Sequence, residues 1–312
     1  MSDPTDEQLR GFLSMSDAMR ASQGPKTKIE KDGVTQELEK PSGRDPNQNA
    51  WLTLTLGYSL NFLGRNVHGT AHNGGPVIVQ DNGFWYARDS DDYLFPILEW
   101  GHDDIIKFSK LFQQGEQIWN HKFFLVTPEN FDMLDYTSPS LPGTVLHPNL
   151  LCLFRMVADA KTSQTVNVVK IDPAVFEDNK YEVRQYKTKA TRKAIIGFRS
   201  HSGLLKDSDV YTQVLGHELG HLLGEDHIVA LEGDEECKVN PGLNRCYGTT
   251  QEEMLNIMAG GTKITKINAK PWTDALRNLV GGPPLHCYTF LLTSPGVQPL
   301  PPLRVRPKDR KP

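Results

Sequence analysis

Three histidines fall within the eleven residues HELGHLLGEDH, at His217, His221 and His227. On an α-helix four residues advance about 400°, so His217 and His221 project from one face, a single turn apart. Two imidazoles so placed can converge on one ion, at about 2.0–2.1 Å each for zinc. Glu218 follows the first histidine, roughly 100° further round the helix. It is aimed at water beside the metal rather than at the metal, which suits a general base. His227 lies six residues beyond His221, about 9 Å further along if the helix continued, and would then miss the ion. Gly224 resolves this, because glycine takes positive φ cheaply and ends helices at such a position. The chain can turn there and bring His227 back. Three neutral imidazoles leave a fourth position open, as catalytic rather than structural zinc sites do.

The segment resembles the long H-E-x-x-H-x-x-G-x-x-H signature of the metzincin clan of zinc peptidases at every defined position. That clan carries a methionine in a tight turn beneath the metal. Here NIMAGG supplies Met258, 31 residues after His227, with Gly260 and Gly261 permitting the turn. The resemblance is detailed over about residues 205–262 and architectural over about 51–292. It implies a zinc endopeptidase using Zn2+, with His217, His221 and His227 as ligands, Glu218 as catalytic base, and a protein or peptide as substrate. Some clan members place a tyrosine two residues after the methionine; Gly260 stands there instead. Residues 1–48 contain no cysteine, so latency through a Cys–zinc bond is not expected. A zinc-bound scaffold that no longer cleaves is the alternative, and the presence of Glu218 argues against it.

The elements that must position these groups follow from pattern. The run WLTLTLGYSLNFL from Trp51 alternates roughly and is rich in β-branched and aromatic residues, hence a strand. GTAHNGGPVIVQDNG is expected to be a long loop or hairpin. A helix is predicted over about 102–119, with Asp103 and Asp104 at its positive end. Strands follow at 122–126, 150–158, 165–171 and 193–198, with charged surface loop between Asp178 and Arg192. The histidine helix should start at Ser208 or Asp209, either able to cap it, and run to about Leu223. A last helix is bounded by Pro271 and Gly281. The fold class is therefore α+β, a metzincin-like domain with a twisted mixed sheet, an active-site helix and a C-terminal helix. The expected division is a mobile polar leader over 1–48, a catalytic domain over 49–294, and a Pro-rich basic tail over 295–312. Within the domain the upper part ends near 227 and the lower part spans 228–294. In the clan an edge strand of the sheet pairs with extended substrate; 165–171 is the first choice here and 193–198 the second.

Composition narrows the partners. A net charge of −4 favours neither nucleic acid nor an anionic membrane. No apolar run approaches the roughly 20 residues of a membrane helix, so membrane insertion is not expected. The first residues lack the pattern of a classical signal peptide, leaving the cytosol or export by a specialised route. Of the four cysteines, Cys237 and Cys246 bracket one turn-rich loop, CKVNPGLNRC, as a disulfide or as two free thiols. Paired cysteines and a basic tail lean towards a delivered effector or toxin over a housekeeping peptidase; a delivery or inhibitor partner stays unidentified. The acidic group Glu232, Asp234, Glu235 and Glu236 reads as a solvated loop before a calcium site or a selector of basic substrates. The other histidines lack ligand spacing. Tyr247 is within reach of the cleft, with nothing in the spacing to demand it.

Overall fold

The computed structural model describes residues 23–45, 48–64, 77–81, 83–88, 94–128, 131–158, 164–171, 195–199, 208–240, 243–259, 261–280, 288–291 and 304–306. In chain order these form β1 (Gln23–Lys31), β2 (Val34–Pro41), β3 (Ala50–Leu63), β4 (Val77–Asp81), β5 (Phe84–Arg88) and β6 (Leu94–Pro96). Helices α1 (His102–Gln114) and α2 (Glu116–Trp119) lead to β7 (Phe123–Val126), β8 (Tyr136–Thr137), β9 (Val145–His147), β10 (Leu150–Ala158), β11 (Gln164–Ile171) and β12 (Ile195–Arg199). Then come α3 (Ser208–Leu223), α4 (Ile228–Leu231), α5 (Glu235–Val239), α6 (Gln251–Met254), α7 (Lys270–Val280), β13 (Tyr288–Leu291) and β14 (Arg304–Arg306). The class is mixed α and β around an open mixed sheet. Among the described residues no helix is long and apolar enough to cross a membrane.

The sheet is organised by β3, fourteen residues whose even-numbered leucines Leu52, Leu54 and Leu56 lie in the main core. β3 runs antiparallel to β2 along Trp51–Leu56 and parallel to β10 along Ala50–Tyr58. Past the hairpin turn at Asp32–Gly33 it takes β11 as a parallel partner along Tyr58–Leu63. The side chain of Gln164 stitches that junction, donating from Nε2 to the Asp32 carbonyl at 2.8 Å and to the Leu222 carbonyl of α3 at 3.2 Å. β7 and β13 extend the sheet beyond β10, both pairings antiparallel. β7 pairs with only the first two residues of β10. Further along, the β10 amides of Phe154 and Met156 donate to Asn120 Oδ1 and Glu116 Oε2 at 3.0 and 2.8 Å. The α2 region thus satisfies backbone groups that a shorter strand leaves open.

All the long helices share one core with one sheet face. Phe108 and Phe112 of α1, Trp119 of α2, Leu215, Leu219 and Leu222 of α3, and Trp272 and Leu276 of α7 join Leu52, Leu54, Leu56, Cys152 and Phe154. The odd residues Trp51, Leu151 and Leu153 bury against Phe124 in a separate cluster, as period-two alternation demands. Helix 102–119 is broken at Gly115, where a Cβ would meet Leu219 Cδ1 at 2.4 Å. The break lets α3 lie close against the α1–α2 junction, and Trp119 Nε1 donates to the Gly216 carbonyl at 3.0 Å.

Three expectations are corrected. Residues 23–41 are not leader: they form the β1–β2 hairpin, with Val34 and Leu38 buried in the main core. Their charges misled, because the polar residues of β2 alternate with the core-facing ones and α7 covers the apolar set; Asn278 Nδ2 donates to Gln36 Oε1 at 3.2 Å. Residues 1–22 lie outside the described residues. Strand 165–171 is not an edge, since β11 sits between β3 and β12; β12 pairs only with β11 among the described residues. Of the tail, Arg304–Arg306 adds a strand to β9, which needs only backbone hydrogen bonds and leaves no compositional mark. β13, after the last helix, is a further strand that the alternation pattern did not announce.

The hairpin gives a direct test. Leu38→Ala removes a fully buried side chain and is expected to cost about 2–5 kcal/mol, read from urea unfolding. A mobile leader would show no change in midpoint.

Candidate metal centre

Helix α3 carries His217, Glu218 and His221, all buried. It ends in a Schellman arrangement: Gly224 has φ +96°, its amide donates to the His221 carbonyl at 3.0 Å, and the Glu225 amide donates to the Gly220 carbonyl at 2.9 Å. The chain turns there, and His227 comes back as the extended residue preceding α4. His221 Nε2 lies 3.1 Å from His217 Nε2 and 3.2 Å from His227 Nε2. Tetrahedral zinc with ligands at 2.0–2.1 Å would set such nitrogens roughly 3.3 Å apart, so the spacing fits an ion of that size. One ligand atom from each histidine falls within 4.8 Å of the others.

The far side of two rings is fixed by backbone. His217 Nδ1 donates to the Ile257 carbonyl and His221 Nδ1 to the Glu225 carbonyl, both at 2.8 Å. A carbonyl can only accept, so these rings carry the proton on Nδ1 and present the Nε2 lone pair inwards. A set of three imidazole nitrogens suits a divalent transition metal such as zinc.

Met258 is buried under α3. A Cβ at Gly220 would meet Met258 Sδ at 2.3 Å, and one at Gly216 would meet Ile257 Cδ1 at 2.4 Å. Both glycines therefore serve close approach between the helix and this turn. Gly261 closes the turn, where a Cβ would sit 2.0 Å from the Leu255 carbonyl oxygen. Gly260 lies outside the described residues.

Beneath the centre runs a buried amide relay that the sequence reading missed. Asn256 Oδ1 accepts from the Met258 amide at 2.8 Å, and Asn256 Nδ2 donates to Asn268 Oδ1 at 2.9 Å. Asn268 Nδ2 donates to Glu225 Oε2 at 2.9 Å. The relay fastens the methionine turn to the residue whose carbonyl orients His221. Glu225 and Asn268 are 43 positions apart, and no spacing rule joins them. Burial, opposed by the Asn268 hydrogen bond and by Lys270, pushes the Glu225 carboxyl up to about 8.

Cys237 and Cys246 are joined as a disulfide, buried against Val229 and Ala230 of α4. The residue after Cys246 is Tyr247, whose ring centroid is 3.9 Å from that of His227 and 6.0 Å from that of His217. Burial first, and then the charge of Glu218, raise the Tyr247 phenol above its ordinary range. The acidic group is largely engaged locally. Asp234 caps α5 through the Cys237 amide, Glu236 pairs with Arg245, and Glu235 with Lys238. Of the remaining histidines, His147 is held between Asp135 and Thr127 in the interior. His68, His72, His201 and His286 lie outside the described residues. Compared with family models, curated proteins and solved structures, the chain matches none.

Asn268→Ala should leave the Glu225 carboxyl and the Asn256 amide short of their partner. Loss of roughly 1–3 kcal/mol is expected for a buried polar group so stranded, measured by thermal unfolding of the metal-free protein. An unchanged midpoint would show that the relay carries no stability.

Proposed function

We propose that this chain is a zinc-dependent endopeptidase of the metzincin type. The observation that carries the reading is the convergence of three imidazole Nε2 atoms, 3.1 and 3.2 Å apart, with Glu218 buried on the same helix. His217, His221 and His227 would hold the ion. Bound there, zinc would supply Lewis acidity to a peptide carbonyl and lower the pKa of water to about 7.

The protein's own groups do the rest. The Ile257 and Glu225 carbonyls keep two rings in the ligating tautomer. Glu218 takes the proton of the attacking water and returns it to the leaving amine as the C–N bond breaks. An extended substrate would add to the sheet beside β12 through backbone hydrogen bonds. The disulfide supports work in an oxidising compartment, in line with an exported effector or toxin.

Glu218→Ala should abolish cleavage of an unfolded protein substrate, by about 10²–10⁴-fold or more, while zinc content stays near that of wild type. His221→Ala should lose most of the metal. Equal cleavage by wild type and the Glu218 variant would refute the base. A wild type that holds zinc yet cleaves nothing on a broad panel would make the centre a scaffold.

A further inference from the structure

Two of the three histidines ride on one long helix. His217 and His221 are placed by a sixteen-residue helix, and each ring is oriented by a carbonyl. His227 is different. It follows the Gly224 turn and immediately precedes α4, a helix of four residues with no side-chain cap. A helix so short does not form in isolation, so its order must come from what it packs against.

Two of the contacts that supply that order come from the loop closed by Cys237–Cys246. The disulfide packs on Val229 and Ala230 of α4, just beyond His227. Tyr247, the next residue after Cys246, lays its ring on the imidazole of His227 at 3.9 Å between centroids. The loop is itself braced, by the Asp234 cap on the Cys237 amide and by the Arg245–Glu236 ion pair. Leu231 of α4 also packs against the main core, and the Ile228 amide donates to the Met258 carbonyl at 3.3 Å.

We propose that the disulfide-closed loop is the support of the third metal ligand, with Tyr247 as the positioning residue for His227. The inference rests on the three histidines forming a metal centre, and deepens that reading by naming what sets its affinity. The ring of Tyr247 limits the rotamers of His227, so less freedom is lost when all three nitrogens bind one ion. The disulfide keeps Tyr247 and α4 at their stations. A group that orients a ligand in this way typically changes metal affinity 10–100-fold when it is removed.

Zinc affinity of the full-length protein, measured by competition with a chromogenic chelator, tests this without any assay of cleavage. Tyr247→Phe keeps the ring and should bind zinc within about twofold of wild type, whereas Tyr247→Ala should bind roughly 10–100-fold more weakly. The paired substitution Cys237→Ser with Cys246→Ser should weaken binding over the same range. Adding Tyr247→Ala to that pair should cost little more, because both act through one support. Should the serine pair not fold, as judged by circular dichroism, the contrast between Phe and Ala at position 247 decides alone. An Ala variant equal to wild type overturns the proposal. So does a Phe variant as weak as Ala, which would assign the effect to the hydroxyl, or losses that simply add. A zinc-loaded wild type without peptidase activity would remove the enzyme reading and leave this one standing.

Discussion

The convergence of three imidazoles from two backbone segments governs how this protein is built. His217 and His221 donate from Nδ1 to carbonyls and turn Nε2 inwards, 3.1 Å apart. His227 brings a third ring nitrogen to 3.2 Å from the second. Nitrogens at this spacing can share one divalent cation. The fold must therefore hold three bulky rings at one point. The surrounding devices can be understood as answers to that demand. Gly216 and Gly220 let the helix lie on the methionine turn, and the Schellman turn at Gly224 reverses the chain. The Asn256–Asn268–Glu225 relay then locks turn to helix end.

The supports differ in kind. On the helix side they are backbone carbonyls and close-packed glycines. On the His227 side they include a covalent cross-link and an aromatic face. Two of the three histidines are thus carried on one helix with a carbonyl behind each ring, and the third is reached through the turn and the disulfide loop. The packing under α3 completes the picture: Trp119 reaches the Gly216 carbonyl, and Leu219 fills the space that Gly115 leaves open.

Much of this was legible in the residues. The histidine spacing, the turn at Gly224, the strands at 122–126, 150–158 and 165–171, and the helix ending at Leu223 depend on local periodicity, which a sequence displays. What it concealed were features settled by partners far along the chain. The β1–β2 hairpin looks like a solvated leader because alternate positions bear charge, and only α7, more than two hundred residues later, makes the other face a core. The place of β11 within the sheet depends on β12, which begins more than twenty residues later in the chain. Asn268 has no local signature, since its partners are a carboxylate and an amide from two other segments. Tyr247 became significant only once the disulfide loop set its ring on His227.

The sheet also has an implication for how the molecule is made. Its N-terminal hairpin is covered by α7, and β7 finds its outer neighbour in β13, at residues 288–291. The histidine helix lies between these in sequence and packs into the same core. During synthesis, β1 to β3 leave the ribosome long before α7, the last of the helices packed on their apolar face. At roughly 5–20 residues per second, that interval is on the order of ten seconds or more. Through it the core around the three histidines lacks Trp272 and Leu276. The chain is thus bound to acquire its core and its candidate centre late and together, so that a truncated translation product would carry the histidine motif without the body that gives it shape.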